Sequence, residues 1–307
     1  MRALPSLLAL VLVVAIAGGC DSGSDGDGAA ISVTTGIWAN VTEQIAGEDA
    51  TVEQVIPDGT SPHDFQLSAR DRAEIENSIL LVHNGADLEA GIPIDELDVP
   101  TFAVADHAGE LERFRPAGSV GHSDSEEEEQ EEGGFDPHMW MDPARVAAAV
   151  PALAEELAAA DPEHAAGYRA RARAYAAELR ALDDEIRSIL DAVRPENRKL
   201  VTSHDALDYF ADAYGLEVIA TPFPASGPEA EASAQTISEV EDAIRQSGVP
   251  TVFAQDTDNP EVLEGIASRT GVRIEDALPV EAPGETGSYV EMLRTDAELI
   301  AAGLRGP

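Results

Sequence analysis

Three of the seven histidines occupy comparable positions in the sequence. His63 lies in a Ser-Pro-His-Asp-Phe segment, His138 in Asp-Pro-His-Met-Trp and His204 in Thr-Ser-His-Asp. Each falls in a predicted turn before a helix or just after a strand, and Asp276 directly follows the last predicted strand. Because the loops beyond the carboxyl ends of the strands form the ligand crevice of α/β sheets, these four side chains can converge. Three imidazoles and one carboxylate can satisfy a tetrahedral divalent cation.

The wide spacing of the four proposed ligands along the chain does not by itself establish that they converge. Two further residues are candidates near the site. Asp256 follows a predicted strand and is the main alternative to Asp276 as carboxylate ligand. His83 ends another predicted strand and is a candidate for contacting a metal ligand without binding the metal itself. The alternative for His83 is a purely structural role. Taken singly, each histidine of the proposed set also fits a surface or capping role.

The elements that position these residues alternate between strand and helix. Strands are predicted in the first third of the chain at 31–35, 51–56, 79–83 and 101–105. A helix is predicted over 39–46, and another begins near Ser68, whose side chain can cap it. Such alternation indicates a parallel sheet covered by helices.

A helical region follows, rich in Ala, Leu, Glu and Arg. Asp142 can cap its first helix, with Pro143 in the first turn. A second helix is predicted from Asp161-Pro162 to about Val193, roughly 48 Å at 1.5 Å per residue, with one apolar stripe. We expect this long helix to pack along two lobes and to join them.

A second α/β series occupies the remainder of the chain. Its strands are predicted at 200–202, 217–220, 251–254 and 272–274. Its helices are predicted at 206–214, 237–247, 260–269 and 289–304. The expected fold is therefore α/β with two parallel-sheet lobes, an N-terminal lobe over 31–142, a linking helical segment over 143–195 and a C-terminal lobe over 196–307, with the metal site in the interlobe cleft.

The amino terminus has the pattern of an export signal. Residues 1–19 combine a charged start, a short apolar run and small residues before Cys20, and the run is too short to span a bilayer. Cys20 is the one cysteine of the chain, which excludes an intramolecular disulfide, and its position suits the acylated cysteine of a bacterial lipoprotein. Residues 20–30 then resemble a flexible tether. We expect an extracytoplasmic protein anchored to the cell membrane by lipid.

Acidic residues outnumber basic ones by 59 to 19, for a formal net charge of −40 at pH 7. Such a surface repels nucleic acid, so a nucleic-acid partner is excluded as an expectation. Residues 122–134 form an acidic block that should be an unpacked loop. Carboxylates there can concentrate cations but lack the soft ligands that hold zinc tightly.

The segments around the four proposed ligands resemble the metal-site motifs of zinc- and manganese-binding receptors of ABC transporters. The likeness extends over nearly all of the mature chain, and the Asp-Pro-His and Thr-Ser-His-Asp motifs are the most specific. It implies two lobes bridged by one rigid helix, with His63, His138, His204 and Asp276 as ligands of a transported metal. It also implies delivery to a membrane permease, by a receptor that we expect to be a monomer. Zinc-type members carry a histidine-rich loop where this chain has the acidic block.

Zinc is favoured over manganese as the transported metal, because imidazole nitrogen suits zinc whereas manganese prefers oxygen ligands. Imidazoles with their usual pKa near ~6.5 predict that zinc affinity weakens below about pH 6. A manganese receptor of the same family is the alternative. A zinc hydrolase is a rival from another class, but four protein ligands close the metal sphere, so we expect no enzyme. A metal-dependent surface adhesin is the third interpretation, and binding assays with and without metal would separate it from uptake.

Overall fold

The computed structural model describes residues 29–113, 134–223, 233–255 and 260–305. Cys20, Asp256 and residues 122–133 of the acidic loop lie outside these ranges. Asp276 lies within them, but only its backbone is described. Within the described ranges, no helix is both long and apolar enough to cross a membrane.

Four parallel strands build the sheet of the N-terminal half. They are β1 (Ala29–Val33), β2 (Ala50–Gln54), β3 (Leu80–His83) and β4 (Thr101–Ala103), in the order β2-β1-β3-β4. The strand β3 pairs with neighbours on both sides and is buried along its whole length. The carboxyl end of β3 is therefore held rigidly, because backbone hydrogen bonds join β3 to β1 on one side and to β4 on the other.

Two helices accompany this sheet, α1 (Gly36–Ala46) and α2 (Ala69–Glu76). Thr35 caps α1 by accepting a hydrogen bond from the backbone N–H of Trp38. The predicted cap at Ser68 is confirmed, since Ser68 and Asp71 exchange side-chain to backbone hydrogen bonds at the start of α2. These reciprocal bonds satisfy N–H groups that a helix start leaves free.

The C-terminal half contains two parallel strand pairs. One joins β5 (Lys199–Val201) to β6 (Glu217–Ala220), and the other joins β7 (Thr251–Gln255) to β8 (Arg273–Leu278). A parallel bridge between Thr202 and Phe253 sets β5 beside β7. The helices of this half are α5 (Asp208–Tyr214), α6 (Ala234–Ser247), α7 (Pro260–Thr270) and α8 (Tyr289–Leu304). The α/β fold class with parallel sheets is confirmed.

Two long helices lie between these halves in the sequence, α3 (Pro143–Ala160) and α4 (Ala165–Leu190). The predicted cap at Asp142 is confirmed, with its carboxylate accepting from the backbone N–H of Ala144 at 2.9 Å. The predicted start of α4 at Asp161 is wrong. The Asp161 carboxylate accepts from the Tyr168 hydroxyl at 2.6 Å and lies 2.7 Å from His164 Nδ1, and α4 begins only at Ala165.

The helix α4 has 26 residues, or about 39 Å at 1.5 Å per residue. One stripe of it is buried, and besides α3 the helix contacts α1 of the N-terminal half and α5 and α8 of the C-terminal half. Most of the predicted apolar stripe is buried in the main hydrophobic core, at Leu179, Leu182, Ile186, Leu190 and Val193. Both halves of the chain therefore share a core along one helix.

The last strand differs from its prediction. Asp276 was expected just after a strand ending at residue 274, but β8 continues to Leu278. Phe253 pairs with Glu275, and the next pair is Gln255 with Leu278. Between these pairs β7 advances by two residues and β8 by three, so β8 carries one extra residue there. An inserted residue of this kind bends a strand and re-aims its side chains. The backbone of Asp276 thus lies in a bulged part of the strand.

Candidate metal centre

Three histidines from separate segments meet in one group. His63 comes from the turn after β2, His138 directly precedes a 3-10 turn at Met139–Met141, and His204 follows β5. One ring nitrogen from each lies within 4.8 Å of the others. Their ring centroids form a nearly equilateral triangle with sides of 5.4, 5.7 and 5.3 Å. Residues 75 and 66 positions apart in the chain are therefore neighbours in space.

The spacing of two nitrogens matches a known metal geometry. His63 Nε2 and His138 Nε2 are 3.3 Å apart. Tetrahedral zinc with Zn–N bonds of about 2.0 to 2.1 Å requires its nitrogen ligands to lie about 3.3 to 3.4 Å from one another. The same distance allows an N–H···N hydrogen bond in the metal-free protein. The pair can therefore bind zinc with little movement.

Asp136 sets the orientation of the His138 ring. His138 is fully buried, and its Nδ1 lies 2.7 Å from Asp136 Oδ1. The same oxygen accepts the backbone N–H of His138 at 2.9 Å. Because a carboxylate oxygen accepts hydrogen bonds, Nδ1 carries the proton and Nε2 keeps its lone pair. A carboxylate in this position orients a metal-binding histidine and raises its basicity.

Backbone hydrogen bonds to two neighbouring segments fix the chain at His204. The N–H of Ser203 donates to the carbonyl of Phe253, and the N–H of Phe223 donates to the carbonyl of Ser203. His204 itself forms a parallel bridge with Phe223. Its Nε2 is buried and has no hydrogen-bond partner in the part of the chain that the structure describes. A buried unpaired ring nitrogen is costly unless something else satisfies it, and a metal ion would do so.

All three imidazoles are held in the neutral form. Burial lowers the pKa of His63 to about 4, helped by the nearby His138, and burial lowers the pKa of His138 to about 3. The pKa of His204 falls well below its usual value, first through burial and then through the other two histidines. Neutral imidazole is the form that binds metals, so the group is prepared for a cation at neutral pH.

Trp140 connects this group to the second half of the chain. Its ring packs edge-on against His138 at 5.1 Å between centroids, and its indole N–H donates to the carbonyl of Val280 at 2.8 Å. The Tyr289 hydroxyl donates to the Trp140 carbonyl. The segment just after β8, the strand that contains Asp276, is thereby held beside the histidine group.

The other sequence candidates have different positions. Neither Asp256 nor the Asp276 side chain is described, and among the described residues the group consists of the three histidines. His83 ends β3 and is 9% exposed. It lines a cavity of about 730 Å³ with Asp106 and His107, and the three clustered histidines are not among the described residues of that lining.

Two contributors were missed by sequence reasoning. Asp136 could have been found, because an acid two residues before a metal-binding histidine is close enough to reach its ring. Tyr209, on α5, had no signal in the sequence. Its hydroxyl donates to the Asp136 carbonyl at 3.0 Å and accepts the N–H of Glu112 at 2.9 Å. It therefore ties the segment before His138 to the C-terminal half.

Comparison with known proteins finds one family model and several metal-binding relatives that match most of the chain. The ZnuA family, described as zinc-uptake complex component A, periplasmic, matches residues 31–303. The manganese-binding lipoprotein MntA of Halalkalibacterium halodurans is 26% identical over 304 residues, which cover 96% of each chain. The zinc-binding lipoprotein AdcA of Streptococcus pneumoniae is 28% identical over 91% of this chain. The chain spans about half of AdcA, 54% of its length.

Solved structures agree with this assignment. The periplasmic zinc-binding protein TroA of Treponema pallidum superposes with a TM-score of 0.78 at 26% identity, covering 90% of this chain and 99% of TroA. The family resemblance noted in the sequence motifs is thus confirmed, as is the expectation that the protein is not an enzyme. The chain belongs to the ZnuA family of solute-binding receptors.

Proposed function

We propose that this protein is the extracytoplasmic receptor of an ABC transporter, which captures zinc and delivers it to a membrane permease. The observation that carries the proposal is the group of neutral ring nitrogens at His63, His138 and His204. Asp276 is the proposed fourth ligand, supported by the contact of Trp140 with both His138 and the segment after β8. Four protein ligands would close the coordination sphere and leave no open position for a catalytic water.

Zinc is proposed over manganese because the donors are mainly nitrogen. Three imidazoles with one carboxylate suit zinc, whereas manganese favours oxygen ligands, and the intrinsic affinity order also places zinc above manganese. The relatives do not decide this point, since MntA is a manganese-binding and AdcA a zinc-binding lipoprotein by name. The chemistry of the histidine group therefore supports the choice of metal.

Competition titration tests this choice. The protein is purified without added metal, analysed for its metal content and titrated with zinc and manganese at one fixed pH. We expect zinc to bind more tightly by at least about tenfold, following the affinity order of nitrogen-rich sites. Equal or tighter binding of manganese would make the protein a manganese receptor of the same family.

We also propose residue bounds for the two lobes and for the segment that links them. We place the lobes at 31–142 and 196–307, with 143–195 as a rigid connection that contains α4. The contacts of α4 with helices from both halves support this role. The receptor acts as a monomer, and its acidic loop at 122–134 supplies no ligand to the tight site.

Attachment to the membrane is proposed through Cys20, which follows the export signal. Replacing it, as in Cys20→Ser, should release the protein from the membrane fraction and leave zinc affinity unchanged, because the tether separates the anchor from the metal site. Fractionation of cells and zinc titration of the released protein measure both effects. Retention of the processed Cys20→Ser protein in the membrane fraction would rule out the lipid anchor.

A further inference from the structure

Asn84 lies directly after β3 and is completely buried. Its backbone is fixed at both ends, since its N–H donates to Glu89 Oε1 at 2.8 Å and its carbonyl accepts from the N–H of Ala105 at 2.9 Å. Glu89 Oε1 also accepts from the Thr34 hydroxyl at 2.6 Å. The side chain of Asn84 therefore projects from a backbone that three neighbouring segments hold still.

The carboxamide of Asn84 joins two parts of the molecule. Its Oδ1 accepts from the indole N–H of Trp38 at 2.9 Å, and its Nδ2 donates to the carbonyl of Pro137 at 3.0 Å. The second proton of Nδ2 is directed to the carbonyl of Gly85 at 2.9 Å. An indole N–H can only donate and a carbonyl can only accept, so the two ends of the amide cannot be exchanged. No other side chain of the same length offers this combination.

Pro137 is the residue immediately before His138. Its carbonyl is held by Asn84 from the N-terminal sheet, while the carbonyl of Asp136 is held by the Tyr209 hydroxyl from α5. The two peptide groups that lead into His138 are thus fixed from opposite sides. Asp136 in turn orients the His138 ring.

We infer that Asn84 is a positioning residue for metal binding, which holds the Pro137 carbonyl so that His138 Nε2 faces the other two histidines. The inference rests on the proposed function. It adds a residue that touches no proposed ligand and acts only through the peptide that carries one. A shift of His138 by a few tenths of an ångström would change its 3.3 Å spacing from His63 Nε2 and weaken shared binding of one ion.

Two substitutions test the role of the carboxamide. Asn84→Ala removes both hydrogen-bonding ends, and Asn84→Asp keeps the acceptor for Trp38 but turns an oxygen toward the carbonyls of Pro137 and Gly85. Zinc affinity should fall by at least about tenfold in both, the lower end of the range for residues that support metal ligands. The visible spectrum of bound Co²⁺ should also change, because the geometry at His138 is altered.

Matched controls separate positioning from loss of stability. Asn77→Asp makes the same chemical change at the exposed end of α2, where Asn77 donates to the Ala73 carbonyl. Ile31→Val removes one buried methylene from the same sheet and lowers the melting temperature without touching Pro137. Both controls should keep zinc affinity within about twofold and leave the Co²⁺ spectrum unchanged. Wild-type affinity and spectrum in folded Asn84→Ala protein would overturn the inference.

A third variant covers the case in which neither Asn84 substitution folds. Trp38→Phe removes the indole N–H that orients the carboxamide and adds no charge, so a smaller loss of zinc affinity with the same spectral change is expected. A wild-type spectrum in that variant would overturn the inference. The proposed function fails separately, if the wild-type protein binds no zinc or still binds it tightly with His63, His138 and His204 all replaced by alanine.

Discussion

Replacing His138 with alanine should weaken zinc binding by more than about 100-fold, above the range seen when only a supporting residue is changed. The ring is fully buried, its Nε2 faces His63 Nε2 at 3.3 Å, and its Nδ1 is held by Asp136. His138→Ala removes a nitrogen ligand, and it also removes the ring N–H that bonds to the buried Asp136 carboxylate. Competition titration against a zinc chelator measures the loss.

A histidine outside the group provides the matched control. His107 is exposed and stacks on Phe102 at 4.7 Å between ring centroids, beside the separate cavity that His83 lines. His107→Ala should keep zinc affinity within about twofold, and Asp256→Ala should be nearly silent if Asp276 is the carboxylate ligand. Wild-type affinity in a folded His138→Ala protein would remove His138 from the site.

Zinc affinity should change little between pH 7 and pH 5.5, in contrast to the loss expected from ordinary histidines. Three imidazoles with the usual pKa near ~6.5 would lose roughly 500-fold in affinity over this interval, because each must release a proton before it binds. Burial lowers the pKa of His63 to about 4 and that of His138 to about 3. Protons therefore compete with zinc only at lower pH, and the expectation of weakening below about pH 6 is revised.

The same burial makes the metal-free fold sensitive to acid. Between the unfolded pKa near ~6.5 and the lower folded values, the unfolded chain binds more protons, so the free energy of unfolding falls as the pH falls. For His63 and His138 the loss between pH 7 and pH 5 is about 2 kcal/mol each. Denaturation of metal-free protein, together with zinc titration corrected for protonation of the chelator, measures both effects. A loss of affinity of several hundredfold by pH 5.5 would contradict the lowered pKa values.

Much of the architecture follows from local sequence. Ser68 and Asp142 cap helices where their side chains can reach backbone N–H groups two or three residues ahead, which needs no information from elsewhere. The apolar stripe of α4 follows from the 3.6-residue period of a helix. The start of α4 was misplaced because Asp161 is bound by Tyr168 and His164 instead of capping a helix at once.

The choice of candidate ligands also came from the sequence, through short motifs around His63, His138 and His204. The motifs could not show that these three residues, which are 66 to 141 positions apart in the sequence, contact one another. Their distances in space depend on how the strands pair and pack. The extra residue in β8 arose from pairing with β7 in the same way. Local sequence therefore determined which residue types are available, and the parallel topology decided which of them meet.

The properties of the site were decided by tertiary structure alone. An isolated histidine has a pKa near ~6.5, and burial away from water lowers the pKa of His138 to about 3. The tautomer of His138 depends on Asp136, and the position of the peptide before it depends on Asn84 and Tyr209, which lie 53 and 72 residues from Pro137 in the chain. The sequence by itself determined the donors, whereas the fold determined their protonation, direction and spacing, because desolvation and hydrogen bonding act through space.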